Sequence, residues 1–498
     1  MPISFNHIPN NLRTPLFYVE IDNSMANSAL ETQRTLLIGQ MLDGTTEPDI
    51  PVKVSSEKVV AGLCGQGSML HTMTKKYLAN DEIGEIWILP LKDDDTEMQQ
   101  AKGSITFGGA LANSGVISLY IAAERIQLSV GTDDTLEEIV ADLANKINAN
   151  KDLPVIATAN TTDKKIEFTS KNYGVSGNGI DIRFNYYGSA GGEYTPTGLI
   201  FTIEKMTGGA GTPKLAQGLA NLQDRAFDFI INPYTDTSSL DLMKEFLSDN
   251  TGRWAWDKQI YGHSYSVISG TYGEASTLGE SRNNQHETIW AVYDSPNTTY
   301  DLVSAFVGAI AGAIRNDPGR PTQTLKISSI LPPPLENRFN LQERNNLLYS
   351  GISTFTVADD GTAMIENTIT TYQYNNYGSA DNSYLQIETL YLLAYINRFM
   401  RTQITSKFAR MKLAADGTRF GAGQAIVTPG IIKSELIAQY KTLEYNGFVQ
   451  NAKAFAQQVI VEQDSSNPNR VNVLWTGTLI NQLRIFAVLN QFRLKSDQ

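Results

Sequence analysis

A single cysteine, Cys64, occurs among 498 residues. That excludes an intramolecular disulfide and any zinc or iron–sulfur site built on several thiolates. Histidine is almost as scarce: His7, His71, His263 and His286 are the whole supply of imidazole for metal ligation or acid–base work. Charge is thin as well. Asp, Glu, Lys and Arg make up 18% of the chain, against about 25% in an average soluble protein, which implies a surface of uncharged polar groups and coverage by other protein. With 40 Lys and Arg against 52 Asp and Glu, the net charge is −12. Such a chain lacks the basic footprint of a general nucleic-acid binder. Residues 1–16 carry no cationic start followed by an apolar core, so no secretory signal is expected. The longest apolar stretch, 302–314, contains Ser304 and falls short of the ~18–20 residues that cross a bilayer. Synthesis in a reducing cytosol without membrane insertion is the expectation.

Motifs for chemistry are nearly absent too. No Gly-Lys dipeptide occurs, hence no Walker A loop. His286-Glu287 lacks the second histidine of H-E-x-x-H, and Gly174-Val175-Ser176-Gly177 fails as a nucleophile elbow at Asn178. Gly62, Gly65 and Gly67 have the wrong spacing for a dinucleotide loop, and Cys64 with His71 reads as helix packing. A Ser/His/Asp site assembles only in space, so His263 and His286 keep a hydrolase reading open, although each is more simply a structural histidine ahead of a strand. The expectation is a non-enzyme with no cofactor and no metal.

What is present is patterned. Residues 17–22 alternate, with Phe17, Val19 and Ile21 on one face and Glu20 and Asp22 on the other. This is an amphipathic strand in an otherwise Pro- and Asn-interrupted arm, and it needs a sheet to join. Apolar strand runs at 35–38 and 86–91 flank a helix at 68–78, and the acidic run 93–97 reads as a solvated linker. Residues 101–210 change to short strands and Gly-rich turns. A hairpin is expected from 116–121 and 125–130 around Ala122-Ala123. A helix follows whose Thr135 and Glu138 match a capping box. Strands at 227–231 and 266–269, a helix at 240–247 and a small-residue helix at 302–314 restore the α/β pattern. The economical arrangement is an α/β core, 31–100 and 211–375, interrupted by an inserted module at 101–210.

A long helix is expected at 383–412, with Leu393, Ile396, Met400, Ile404, Phe408 and Met411 as its apolar stripe, and a second helical region at 431–458. No acid occurs between Glu388 and Asp416, whereas Arg398, Arg401, Lys407, Arg410 and Lys412 do. These cations are either a solvated face favoured by the helix dipole or a docking face for an acidic partner. At the end of the chain, residues 485–489 (including Ile485, Phe486, Val488 and Leu489) are apolar on both faces. Phe492 and Leu494 continue one face opposite Arg493 and Lys495. A strand this close to a terminus must be tied into a sheet, its own or a neighbour's.

The sequence Asp317-Pro318-Gly319-Arg320-Pro321, then Asn345-Asn346-Leu347-Leu348-Tyr349-Ser350-Gly351-Ile352-Ser353-Thr354, Ile369-Thr370-Thr371-Tyr372, Asn467-Pro468-Asn469-Arg470-Val471 and Ile480-Asn481-Gln482-Leu483 resembles the contractile tail sheath proteins of Mu-like bacteriophages. The 101–210 module, with Gly177-Asn178-Gly179-Ile180-Asp181, resembles that family's inserted domain. Asn367 departs from the pattern, where Arg is more typical. The resemblance implies a subtilisin-like α/β core without a catalytic triad, an α+β C-terminal domain at 376–478 and two arms, 1–30 and 479–498, that donate strands to neighbouring subunits. It also implies stacked hexameric rings around a tail tube on the virion, contraction that drives genome ejection, and baseplate and tail terminator proteins as partners. The basic helix would face the tube. A subtilisin-like hydrolase and a non-contractile, flagellum-like tube protein are the alternatives.

Overall fold

The structure, a computed structural model, describes residues 33–494. The 17–22 strand with Phe17, Val19 and Ile21 lies outside the described residues. Those described fall into two compact units, 391–481 and 33–390 with 482–494.

In the larger unit the apolar runs form a six-stranded sheet. Its order is Glu287–Val292, His263–Ser269, Phe229–Ile231, Arg34–Gln40, Glu85–Leu91 and Val52–Val54. All neighbours are parallel except the last strand. Helices cover both faces, which is why Leu36, Leu37 and Ile38 are all buried in succession. Trp290 packs edge-on against Phe306 of the Thr299–Asn316 helix. The flanking Ile289 and Ala291 point the other way, into a cluster with Leu240, Ala275 and Leu347 from three further helices. The result is three layers, α/β/α. The small residues of 302–314 are used for close approach: a Cβ on Gly308 would lie 2.7 Å from the Tyr77 carbonyl of the Met69–Leu78 helix.

Residues between two strands of that sheet build the Gly-rich module. One sheet runs Leu199–Thr207, Lys102–Gly109, Lys165–Ser170, Val155–Asn160, and a second runs Glu124–Val130, Gly115–Ile121, Ile182–Phe184. Ile105, Phe168, Ile139 and Leu143 share their core with the Leu136–Ala149 helix. The Thr135/Glu138 capping box is formed. Ala122 and Ala123 have φ of 48° and 67°, the left-handed pair that a tight hairpin turn demands. The acidic run is not wholly a solvated linker. Asp93 is part-buried and accepts hydrogen bonds from Gln40, Asn172 and the Tyr173 backbone, tying the module's 172–173 segment to the first core strand. Burial pushes its carboxyl above the ordinary value despite these donors.

In the smaller unit the long helix spans Ile387–Phe408 rather than 383–412. The chain turns at Met411, which bonds back to Phe408, and then pairs as a strand, Lys412–Leu413, with Ile426–Val427. Met411 is therefore an exposed turn residue and not part of the stripe. Ile396 joins Leu436, Tyr440 and Phe455 in the core, ringed by Met400, Ile404 and Phe408. The expected helix at 431–458 is two helices, Pro429–Tyr445 and Ala452–Gln458. Gly447 at φ 80° and Asn451 at φ 63° break it, and Val449–Gln450 pairs with Thr478–Leu479 instead.

Candidate assembly surfaces

The expected strand at 485–494 does not form a ladder among the described residues. Residues 480–494 form no strand with any described residue. Ile485, Phe486, Val488, Leu489, Phe492 and Leu494 are all strongly exposed, between 71% and 92%. Six large apolar side chains on a single exposed segment form the sort of contiguous apolar surface that marks an interaction site.

The root of this segment is clamped. Arg484 donates through Nη2 to Glu388 Oε2 at 2.6 Å. Glu388 is completely buried, and its Oε1 accepts from the Thr322 backbone N–H and hydroxyl at 2.9 and 3.1 Å. Gln323 Nε2 donates to the Leu483 carbonyl at 3.2 Å. A buried carboxylate holding a charged partner and two neutral donors is a strong, directional anchor, so the exit point of the segment is set while its apolar residues remain in water. Sequence reading did not single out Glu388. Its one signal was position, as the last acid before a long acid-free stretch.

The five predicted cations do not all lie on the helix, so Lys412 does not share a helix face with Arg398 and Arg401. Arg398, Arg401 and Lys407 lie on the Ile387–Phe408 helix; Arg410 lies in the following turn, and Lys412 in a strand, because the helix stops early. Lys407 is tied to Glu435 at 2.6 Å. Arg398 is half-buried, whereas Arg401, Arg410 and Lys412 are exposed.

The candidate histidines are packed into the sheet margin. His263 Nε2 lies 2.8 Å from the Thr288 hydroxyl, which itself donates to the Ile369 carbonyl. His286 stacks on Trp254 at 4.4 Å and lies 2.7 Å from Asp249. Burial, and then the neighbouring His286, hold the His263 imidazole well below its ordinary range. The unfolded chain therefore takes up a proton that the folded one refuses. Stability should fall as pH drops through about 6.5, the unperturbed histidine value, before carboxylates titrate. Melting temperature against pH should show this slope, and His263→Gln should reduce it between about pH 6.5 and 5, leaving the part due to His71, which burial also lowers.

Residues 208–371 match the phage tail sheath protein central domain, and residues 379–493 match the phage tail sheath C-terminal domain. The chain is 41% identical over 497 residues, 99% of its own length and 100% of the relative's, to the Mu-like prophage FluMu tail sheath protein of Haemophilus influenzae (strain ATCC 51907 / DSM 11121 / KW20 / Rd). It thus belongs to the phage tail sheath family and is a structural tail sheath protein. Among solved structures it is similar to the sheath tail protein of Desulfitobacterium hafniense, at 14% identity and TM-score 0.49, covering 94% of this chain and 97% of that one. It is likewise similar to the helical sheath of the anti-feeding prophage in its contracted state, at 10% identity and TM-score 0.47, covering 97% and 100%.

Proposed function

We propose that this protein polymerises as stacked hexameric rings around a tail tube and contracts, driving the tube through the host envelope for genome ejection. The observation that carries the reading is the 485–494 segment, apolar and exposed on a chain of the tail sheath family. An exposed apolar segment of this kind is stabilised by joining a neighbour's sheet through main-chain bonds. The hairpin Ile460–Gln463 with Val471–Leu474, a two-stranded sheet with Ile460, Val473 and Leu474 exposed, offers edges for it. The 17–22 strand is the second donated arm in this reading. The core comprises 31–100 and 211–375, the insert 101–210, and the tube-facing domain 376–478.

Head-to-tail contacts that do not close produce an open helical array. The donated strands keep bodies connected while they move outward, so contraction is a switch between two packings. Tube, baseplate and terminator proteins are the partners, on the virion tail. The exposed Arg401, with Arg398 beside it, meets an acidic tube surface. Catalysis has no part in this mechanism.

Imaging of purified particles before and after a contraction trigger tests the reading. Sleeves of two diameters are expected. A single diameter throughout would indicate a plain tube. In the same preparation, Arg398→Glu with Arg401→Glu should release sleeves from tubes; unchanged particles would make those cations a solvated face.

A further inference from the structure

The six-stranded sheet carries an apolar knob at one end and a groove at the other. The knob is the loop ahead of the Glu85–Leu91 strand, where Ile83 is 94% exposed and Glu82 is exposed beside it. The loop is braced. Asp81 is buried, bonded to Arg315 and to the Tyr77 hydroxyl, each at 2.5 Å. Asn80 exchanges two hydrogen bonds with the Ser328 backbone, at 2.7 and 3.1 Å. Gly84 is compact for a reason: a Cβ there would strike the Asp81 carboxylate at 2.5 Å. An exposed aliphatic side chain on a loop held this firmly has little ordering entropy left to lose on docking.

The groove lies where two edge strands part. Glu287–Val292 ends the six-stranded sheet, and Thr354–Val357 ends a three-stranded one. They touch at the Trp290–Ser353 bridge and then diverge around a space of about 360 Å³ lined by Val292, Phe339, Phe355 and Val357. Leu335 stands exposed on the rim. Also on the rim, Arg338 donates through Nε to the Pro333 carbonyl. Its terminal nitrogens have no partner among the described residues.

All but one of the strands run parallel and in near register, so the loop before Glu85 and the groove after Ala291 lie at opposite ends of the sheet. They are also near opposite edges. Knob and groove on one chain cannot meet each other, so the contact is made between copies. Successive copies can engage them head to tail without closure, as an open polymer requires. Their chemistry is complementary: an aliphatic tip for an apolar slot, and an exposed carboxylate for the terminal nitrogens of a guanidinium.

We propose that Ile83 of one copy seats in the 291–293/354–357 groove of the next copy, with Glu82 against Arg338. This body-to-body contact rests on the polymeric reading above and is separate from the donated strands.

Disulfide trapping tests it. The lone native thiol, Cys64, is buried, so Ile83→Cys with Leu335→Cys adds the only accessible pair. Mild oxidation of assembled sheaths should give a ladder of dimers, trimers and higher species on denaturing gels, lost in either single variant. Glu82→Arg should lower the sedimentable polymer, and adding Arg338→Glu should restore it. Sheaths that form normally yet stay monomeric on the gel would overturn the contact while leaving the sheath function intact, and would mean that the groove receives another component. Dimers alone would overturn it in favour of a two-fold contact. Failure of the unaltered protein to polymerise under any condition would remove both readings.

Discussion

A subunit lacking residues 485–498 remains folded and soluble but forms no sheath polymers. The cut is placed after Arg484 because removing that residue would strand the buried Glu388 without its charged partner. Leaving an uncompensated buried charge costs several kcal/mol and would confuse misfolding with failed assembly. Residues 485–494 add no strand to the described part of the subunit and leave their large apolar groups in water, so their loss subtracts little from its stability. Their loss from the assembly is another matter. About five net main-chain bonds at ~0.5–1.5 kcal/mol each, with burial of several large side chains at ~1.5–3 kcal/mol each, give several kcal/mol per donated arm. Every ~1.4 kcal/mol is a factor of ten in association, and each subunit donates an arm, so polymer yield should fall by at least about a thousandfold. Negative-stain microscopy and sedimentation read the polymer, and a urea titration reads the fold. Normal sleeves from the shortened chain would end the strand-donation account.

The second large effect is on folding itself. Arg282 and Glu287 form a two-pronged pair, Nε to Oε1 and Nη2 to Oε2, both at 3.0 Å, with Glu287 only 1% exposed. Arg282 also reaches Asp241 at 2.6 Å, and Thr371 donates to Glu287 at 3.0 Å. The cluster joins the edge strand of the sheet to the helix before it and to the segment around Thr371. Glu287→Ala leaves a buried guanidinium facing an apolar methyl, and a loss of about 3–5 kcal/mol is expected. That is a large part of the ~5–15 kcal/mol that holds a typical fold. The urea midpoint should move accordingly. Adding Arg282→Leu should recover part of the loss, because an apolar pair carries no unpaired charge. A shift under about 1 kcal/mol in the single variant would place this pair among those with surface-like energetics.

Local patterns in the chain were enough to locate most elements. Residues 35–38 and 86–91 are apolar without alternation, and only a strand covered on both faces has use for that. Thr135 with Glu138 marked a helix start that forms as written. Ala122-Ala123 between two strand runs marked the hairpin turn. Such features depend on neighbours a few residues away and survive in a linear reading.

The cationic stretch misled because periodicity continues on paper through Lys412. The strand partner that ends the helix, Ile426–Val427, lies in a distant window. The acidic run looked solvated because nothing near Asp93 in the sequence announces Gln40 or Asn172 as donors.

The sequence by itself determined that the chain has little material for metal or acid–base chemistry, that its core is α/β, and that its last residues, from Phe492 on, have the alternation of a strand. Only the tertiary structure decided that this strand has no ladder within the described residues, and that Glu388 holds its root. The reason is physical. Alternation is a property of the segment alone, whereas a strand exists only when its backbone donors and acceptors meet those of another, and the described part of the subunit leaves residues 485–494 without one.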